Sequence, residues 1–237
     1  MLYLALFIGI VSIVITTKLT QAFKLSSIWG LLGQICASLV IIMGGKLEVS
    51  HINLGNYIEL GYLTIPLTLV LLVGFTNVMN METVQNPSIL LLPCVSLVCF
   101  SIFAFFTGDS FVLITGICAS LTIMFILLYG YFSGKIFVGR TLTTSIGFII
   151  AVLSISLLKI SIVTIYIPIF TLVLPFTLYY LIQDKITSVQ SITVTSLIAI
   201  LFGVLMFIIP SNILWYLVVG LTIILVITQF SRKYRFI

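Results

Sequence analysis

The sequence predicts an all-α fold: a polytopic transmembrane helical bundle, forming a single integral membrane domain over residues 1–237. Three observations predict it. Hydrophobic residues make up 62% of the chain and charged residues only 6%, against about 25% charged in soluble domains, so the charges are too few to clothe a water-exposed surface. Apolar stretches recur along the whole chain at the length a crossing helix needs, about 20 residues. The few charges fall in the breaks between those stretches. The net charge of +5 therefore reads as membrane topology rather than as a nucleic-acid surface, because Lys and Arg concentrate in cytoplasmic segments.

About nine spans follow, at roughly 2–17, 28–44, 60–79, 88–107, 110–132, 142–158, 160–182, 192–209 and 213–230. The first lacks the basic leading region and small-residue cleavage site of a signal peptide, so it reads as a retained helix. It ends where Lys18, Thr20, Gln21 and Lys24 bring in polarity. The break from Gly44 to Glu59 carries Glu48, His51, Asn53, Asn56 and Glu59. After the third span, Asn86 is suited to cap and Pro87 to open the next helix. Gly108-Asp109 marks a tight turn, Lys159 interrupts a long apolar run, and Pro210-Ser211-Asn212 makes the last hairpin. Pro168 and Pro175 fall within the seventh span, and each predicts a kink by freeing a carbonyl. Cys36, Cys94, Cys99 and Cys118 all sit inside spans, with no C-x-x-C pair, and read as small buried hydrophobes.

Threading nine spans from an outer N-terminus puts Lys18, Lys24, Lys135, Arg140, Lys185, Arg232, Lys233 and Arg235 inside, with only Lys46 and Lys159 outside. The expected orientation is N-out, C-in. Segments 18–27, 80–87 and 133–141 then share the cytoplasmic face, and a site for cytoplasmic substrates belongs there.

Four residues are candidates for binding. Asn77 and Asn80 are three apart and share a helix face. Unpaired amides are costly in lipid, so this face points to protein or to a wet cavity. The pair serves either a ligand or helix–helix bonds of about 0.6–2 kcal/mol each. Lys135 and Arg140 are suited to a lipid phosphate at headgroup level, although topology alone also puts basic residues there. Glu82 is the one candidate catalytic acid, and otherwise a solvated loop residue.

These positions carry a resemblance. Thr76 to Asn80, TNVMN, resembles the T-N-x-x-N of the polyprenyl-phosphate sugar-1-phosphate transferases, glycosyltransferase family 4. That family includes phospho-N-acetylmuramoyl-pentapeptide transferase and undecaprenyl-phosphate N-acetylglucosamine-1-phosphate transferase. Gly134 to Phe148, GKIFVGRTLTTSIGF, is similar to the family's A-K-I-F-M-G-D-x-G-S-x-x-x-G-F. Leu25 to Gln34, LSSIWGLLGQ, is similar to L-S-P-K-x-K-L-L-G-Q. The matches keep their order and cover roughly residues 19–185. The resemblance implies a multi-helix membrane protein of the bacterial plasma membrane. It also implies an activity: Mg²⁺-dependent transfer of a phospho-sugar from a UDP-sugar to a polyprenyl phosphate at the cytoplasmic face.

The departures from that pattern are systematic. Thr20 and Gln21 stand where the family has an Asp-Asp pair, and Gly30 stands where it has a Lys. Thr83 to Pro87 replaces an acidic D-G-x-D-G. Arg140 replaces the Asp of G-D-x-G-S, and no His-rich loop follows near the end. The chain also starts at the helix leading into the Asp-Asp position, where the family carries further helices, so it is expected to be N-terminally short. Mg²⁺ takes oxygen ligands, commonly one or two carboxylates with phosphate oxygens. Only Glu48, Glu59, Glu82, Asp109 and Asp184 are acidic in the whole chain. The expectation is a degenerate relative without catalysis and without a metal cofactor. Its expected partners are a membrane lipid such as polyprenyl phosphate, and a membrane-protein partner or a second copy in a homodimer. An active Mg²⁺-dependent transferase using Glu82 is the first alternative. A transporter or scaffold is the second.

Overall fold

A computed structural model describes residues 1–53, 57–80, 87–133, 138–159, 162–182 and 188–209, with positions 213, 216–217 and 219–220. The chain builds α1 (Leu2–Ala22), α2 (Ser27–Gly45), a small hairpin of β1 (His51–Asn53) and β2 (Tyr57–Glu59), α3 (Thr64–Val78), α4 (Leu91–Thr107), α5 (Ser110–Ser133), α6 (Arg140–Leu158), α7 (Tyr166–Pro168), α8 (Leu174–Ile182) and α9 (Ser188–Ile208). Among the described residues, seven helices are long and apolar enough to cross a membrane. The chain is a multi-pass helical membrane protein. The ninth expected span, 213–230, and Pro210 to Asn212 lie largely outside the described residues.

Helix α6 organises the bundle. Nearly every residue from Thr143 to Leu158 is buried. Ile146, Ile150, Leu153 and Leu157 repeat at helical spacing and enter one core, with Leu92, Leu97 and Phe100 of α4. Phe148, Ala151, Val152, Ile155 and Leu158 form the opposing stripe and enter a second core, with Ala5, Ile13, Ala37, Ile41 and Leu72 of α1 to α3. The buried hydroxyls in the first turns of α6 bond back along the helix. Thr144 Oγ1 donates to Arg140 O at 2.8 Å and Ser145 Oγ to Thr141 O at 2.9 Å. A polar α6 can therefore be buried without leaving these donors unmade.

Four features depart from the sequence expectation. Helix α1 runs on past Lys18 to Ala22, because Lys18 is exposed and nothing before Phe23 breaks the helix. The polar break after α2 is not all loop: His51 pairs with Glu59 and Asn53 with Tyr57 in an antiparallel hairpin, so the all-α class holds except for these two short strands. The seventh span is irregular rather than one continuous α-helix. A 3-10 turn over Ile162–Ile165 leads into α7, and a π-helical stretch over Ile169–Val173 precedes α8. That stretch abuts Pro175, which has no N–H for a carbonyl one turn back. Of the cysteines only Cys99 is buried, whereas Cys36 and Cys118 are exposed and Cys94 is between. In a membrane helix the outer face meets lipid, which a thiol tolerates as readily as a core.

Expected turns appear as read. Pro87 opens a 3-10 turn into α4. Gly108 ends α4 at φ 76°, a left-handed conformation that suits glycine. Asp109 Oδ1 then accepts the Val112 N–H at 3.1 Å, capping α5. Side-chain contacts define two ends of the bundle. At one end Gly45 meets Leu2, Lys159 Nζ donates to Lys46 O at 3.1 Å, and Ser156 Oγ donates to Asp109 Oδ2 at 3.3 Å. The opposite end gathers the start of α2, the end of α3 and the start of α6.

Candidate functional site

Three short-range facts place the polar residues of that second end. Asn77 closes α3 and Asn80 follows one turn on, so their side chains meet: Asn80 Nδ2 donates to Asn77 Oδ1 at 3.2 Å. Gly139 is extended and caps α6, which makes Arg140 the first helical residue. Thr144 lies one turn further along the same face.

Packing then brings α3 and α6 together. Gly147 is what lets them approach, since a Cβ there would stand 2.7 Å from Met79 Cβ and 2.9 Å from Thr76 O. Arg140 Nε donates to Asn80 Oδ1 at 2.6 Å across the gap. Thr144 Oγ1 also lies 3.3 Å from that oxygen, though its proton is better used on Arg140 O at 2.8 Å. Arg has no acceptor atom, so Asn80 must turn its oxygen toward Arg140 and its Nδ2 toward Asn77. The chain of donation runs Arg140 to Asn80 to Asn77. On the other flank, a Cβ on Gly30 of α2 would stand 3.7 Å from Arg140 Nη2. The guanidinium thus sits where three helices meet.

Beside it opens a cleft of about 230 Å³, lined by Ile28, Leu31, Asn77 and Asn80. One wall is apolar and belongs to α2, and the other is amide and belongs to the end of α3. Ile28 and Trp29 are more than half exposed, so the apolar wall continues onto the outer face of the bundle. Asn77 is exposed and Arg140 half-buried. A cation at the N-terminal pole of a helix opposes the helix dipole by about 0.3–1 kcal/mol. Its charge-assisted bond to Asn80 offsets this by about 1.5–3 kcal/mol.

Asn77, Asn80 and Arg140 are therefore brought together. Lys135 and Glu82 lie outside the described residues. Two contributors were not singled out from sequence as site residues. Thr144 could have been found by its one-turn spacing from Arg140. Gly30 shows there only as a missing Lys, and its part emerges from the fold.

The sequence model of glycosyl transferase family 4 matches residues 3–158. The chain belongs to glycosyl transferase family 4. The matched region takes in α1 to α6 and hence every described residue of the cleft. It starts earlier and ends earlier than the motif resemblance over 19–185. No curated protein matches the chain. It is a polyprenyl-phosphate sugar-1-phosphate transferase-like membrane protein of this family.

The family resemblance implies Mg²⁺, and the described residues of the cleft bring no carboxylate to it. A hard cation needs free oxygen ligands. Here Asn80 Oδ1 accepts from Arg140 and Asn77 Oδ1 accepts from Asn80, which leaves each amide oxygen one lone pair, that of Asn80 beside a guanidinium. Among the described residues no group of three His, Cys, Asp or Glu stands close enough to hold a metal. Asp109 is tied to Ser156 and Val112 at the far end of the bundle. Glu48 precedes the hairpin and Glu59 is its last residue, at that same end. Glu82 and Asp184 lie outside the described residues. What the cleft offers is N–H donors, which suit an anion.

Proposed function

We propose that this family member is non-catalytic and holds a polyprenyl phosphate or diphosphate at the cleft between α2 and the end of α3, beside Arg140 of α6. In this reading the cleft faces the cytoplasm of a bacterial plasma membrane, and the protein plays a regulatory part in cell-envelope glycan assembly. The observation that carries the reading is the bond from Arg140 Nε to Asn80 Oδ1. It fixes a permanent cation where the family pattern has a carboxylate, and it sets that charge against the Asn80 oxygen that a metal would use. Arg holds phosphate oxygens without help from metal. The two walls of the cleft match an amphiphile, with Ile28 and Leu31 beside the chain and the amides beside the head. The inner-face excess of Lys and Arg supports an anionic ligand and the N-out, C-in orientation.

The test is binding of radiolabelled undecaprenyl phosphate to purified protein in detergent. Wild type is expected to bind and Arg140→Ala to bind more weakly. Equal failure of both removes the lipid reading. Family membership itself favours a second reading, an active transferase with rearranged acids. That reading requires Mg²⁺-dependent release of UMP from a UDP-sugar, abolished by Glu82→Gln. Under the proposal no UMP appears.

A further inference from the structure

We infer that Arg140 is a resident cation which makes phosphate binding at this cleft independent of divalent metal, with Asn80 and Gly30 as the residues that position it. The inference rests on the lipid-binding reading and sharpens it. Its first support is the pairing of the amides. Both amide oxygens on the polar wall are engaged by N–H donors, at 2.6 Å and 3.2 Å. Each oxygen keeps a second lone pair, but a metal that used the one on Asn80 would lie directly beside the guanidinium and be repelled by it.

The second support is how the guanidinium is seated. It is held on its Nε edge by Asn80, which leaves the Nη fork with no hydrogen bond among the described residues. That fork is the part of Arg that matches two phosphate oxygens at once. It extends toward α2, where Gly30 leaves the space empty. A Cβ alone at position 30 would meet Nη2 at 3.7 Å, an ordinary contact. A longer side chain would have the fork as its nearest neighbour. The family pattern has a cation at position 30 and an anion at position 140. This chain has no side chain at 30 and a cation at 140, and the fold shows the two positions to be neighbours. The positive charge is thus delivered to the same junction from the opposite helix.

Nothing described at this end balances that charge. The three described carboxylates, those of Glu48, Glu59 and Asp109, belong to the other end. A half-buried guanidinium whose fork has no described acceptor is one that a phosphate would complete.

The experiment is equilibrium binding of radiolabelled undecaprenyl phosphate to the full chain in detergent, with excess EDTA or with Mg²⁺. Wild type is expected to bind equally in both. Arg140→Ala and Arg140→Lys should bind about tenfold or more weakly in both, as loss of a charge-assisted bond implies. Asn80→Asp is the sharper variant. It keeps the shape and the bond to Arg140 but cancels the charge, so binding should fall while the unfolding midpoint holds or rises. Gly30→Ala should bind like wild type, and Gly30→Leu should not. Wild-type binding that vanishes in EDTA and returns with Mg²⁺ overturns the inference but leaves the lipid reading standing. Binding in Asn80→Asp equal to wild type also overturns it. Absence of wild-type binding under every condition overturns both.

Discussion

The close approach of α3 and α6 can be tested without any ligand, at Gly147. This residue lies seven positions after Arg140, about two turns deeper on the same face of α6. In Gly147→Ala the new Cβ would stand 2.7 Å from Met79 Cβ and 2.9 Å from Thr76 O. Carbon atoms rest about 3.5–4.0 Å apart, so the helices must part by roughly 1 Å. The oxygen belongs to the backbone of α3 and cannot rotate away. Overpacking of this kind costs about 1–3 kcal/mol. Replacing a mid-helix Gly by Ala returns about 0.5–1 kcal/mol, which leaves a net loss of up to about 2.5 kcal/mol, centred near about 1 kcal/mol. Gly74→Ala is the control, since nothing lies within 4 Å of a Cβ there. It should be neutral or stabilising. The assay is thermal unfolding of the three purified proteins in one detergent. Gly147→Ala should unfold several degrees below wild type, at about 2–4 °C for each kcal/mol. A midpoint at or above that of Gly74→Ala would refute the packing argument, and with it the geometry that joins Arg140 to Asn80.

Asp109→Ala removes the acceptor for the Val112 N–H and the partner of Ser156 Oγ. It should lower stability by about 0.5–2 kcal/mol, with Asp109→Asn close to wild type; equal unfolding midpoints for Asp109→Ala and wild type would contradict the cap. A lipid-soluble maleimide should modify Cys36 and Cys118 well before Cys99, which is wedged against Gly203. Mass spectrometry of the labelled protein reads the order, and early reaction at Cys99 would contradict the burial. In a background without native cysteines, Ser110→Cys should be labelled from outside intact cells by an impermeant reagent. Ser26→Cys should be labelled only after permeabilisation, and the reverse pattern would invert the orientation.

Much of the bundle is legible in the sequence because membrane crossing is a strong composition signal. The boundaries of the fourth and fifth spans, 88–107 and 110–132, agree with the helical spans Ser88–Thr107 and Ser110–Phe132. Gly108-Asp109 makes them sharp, since a left-handed glycine and a capping carboxylate stop one helix and start the next. Lys18 is a weaker stop, because a long basic side chain can reach water from within a helix end. The hairpin over 51–59 was hidden by its polarity: a run with Glu, His and Asn reads as loop when no apolar alternation marks strands. The π-helical stretch before Pro175 is equally hard to read. A proline says that a bond is missing, and not how the neighbouring turns share out the freed carbonyl.

The site is legible only as pieces. Asn77 and Asn80 announce each other through their spacing, and Thr144 announces Arg140 in the same way. That Arg140 reaches Asn80, 60 residues away in the chain, follows from tertiary packing at Gly147 and from no local pattern. Nor does a sequence say that positions 30 and 140 share one volume, so the loss of a Lys at one and the gain of an Arg at the other look like two unrelated defects. Under the inference above, the two departures from the family pattern are one exchange of cation for cation, from α2 to α6. The same reading accounts for amides that stand where the pattern's carboxylates are missing. Asn80 is needed to hold the guanidinium by its Nε edge, and Asn77 to hold Asn80. A cleft that had merely decayed would have no reason to keep its asparagines bonded in series to a cation half out of water, because each bond restrains side chains that would otherwise be free.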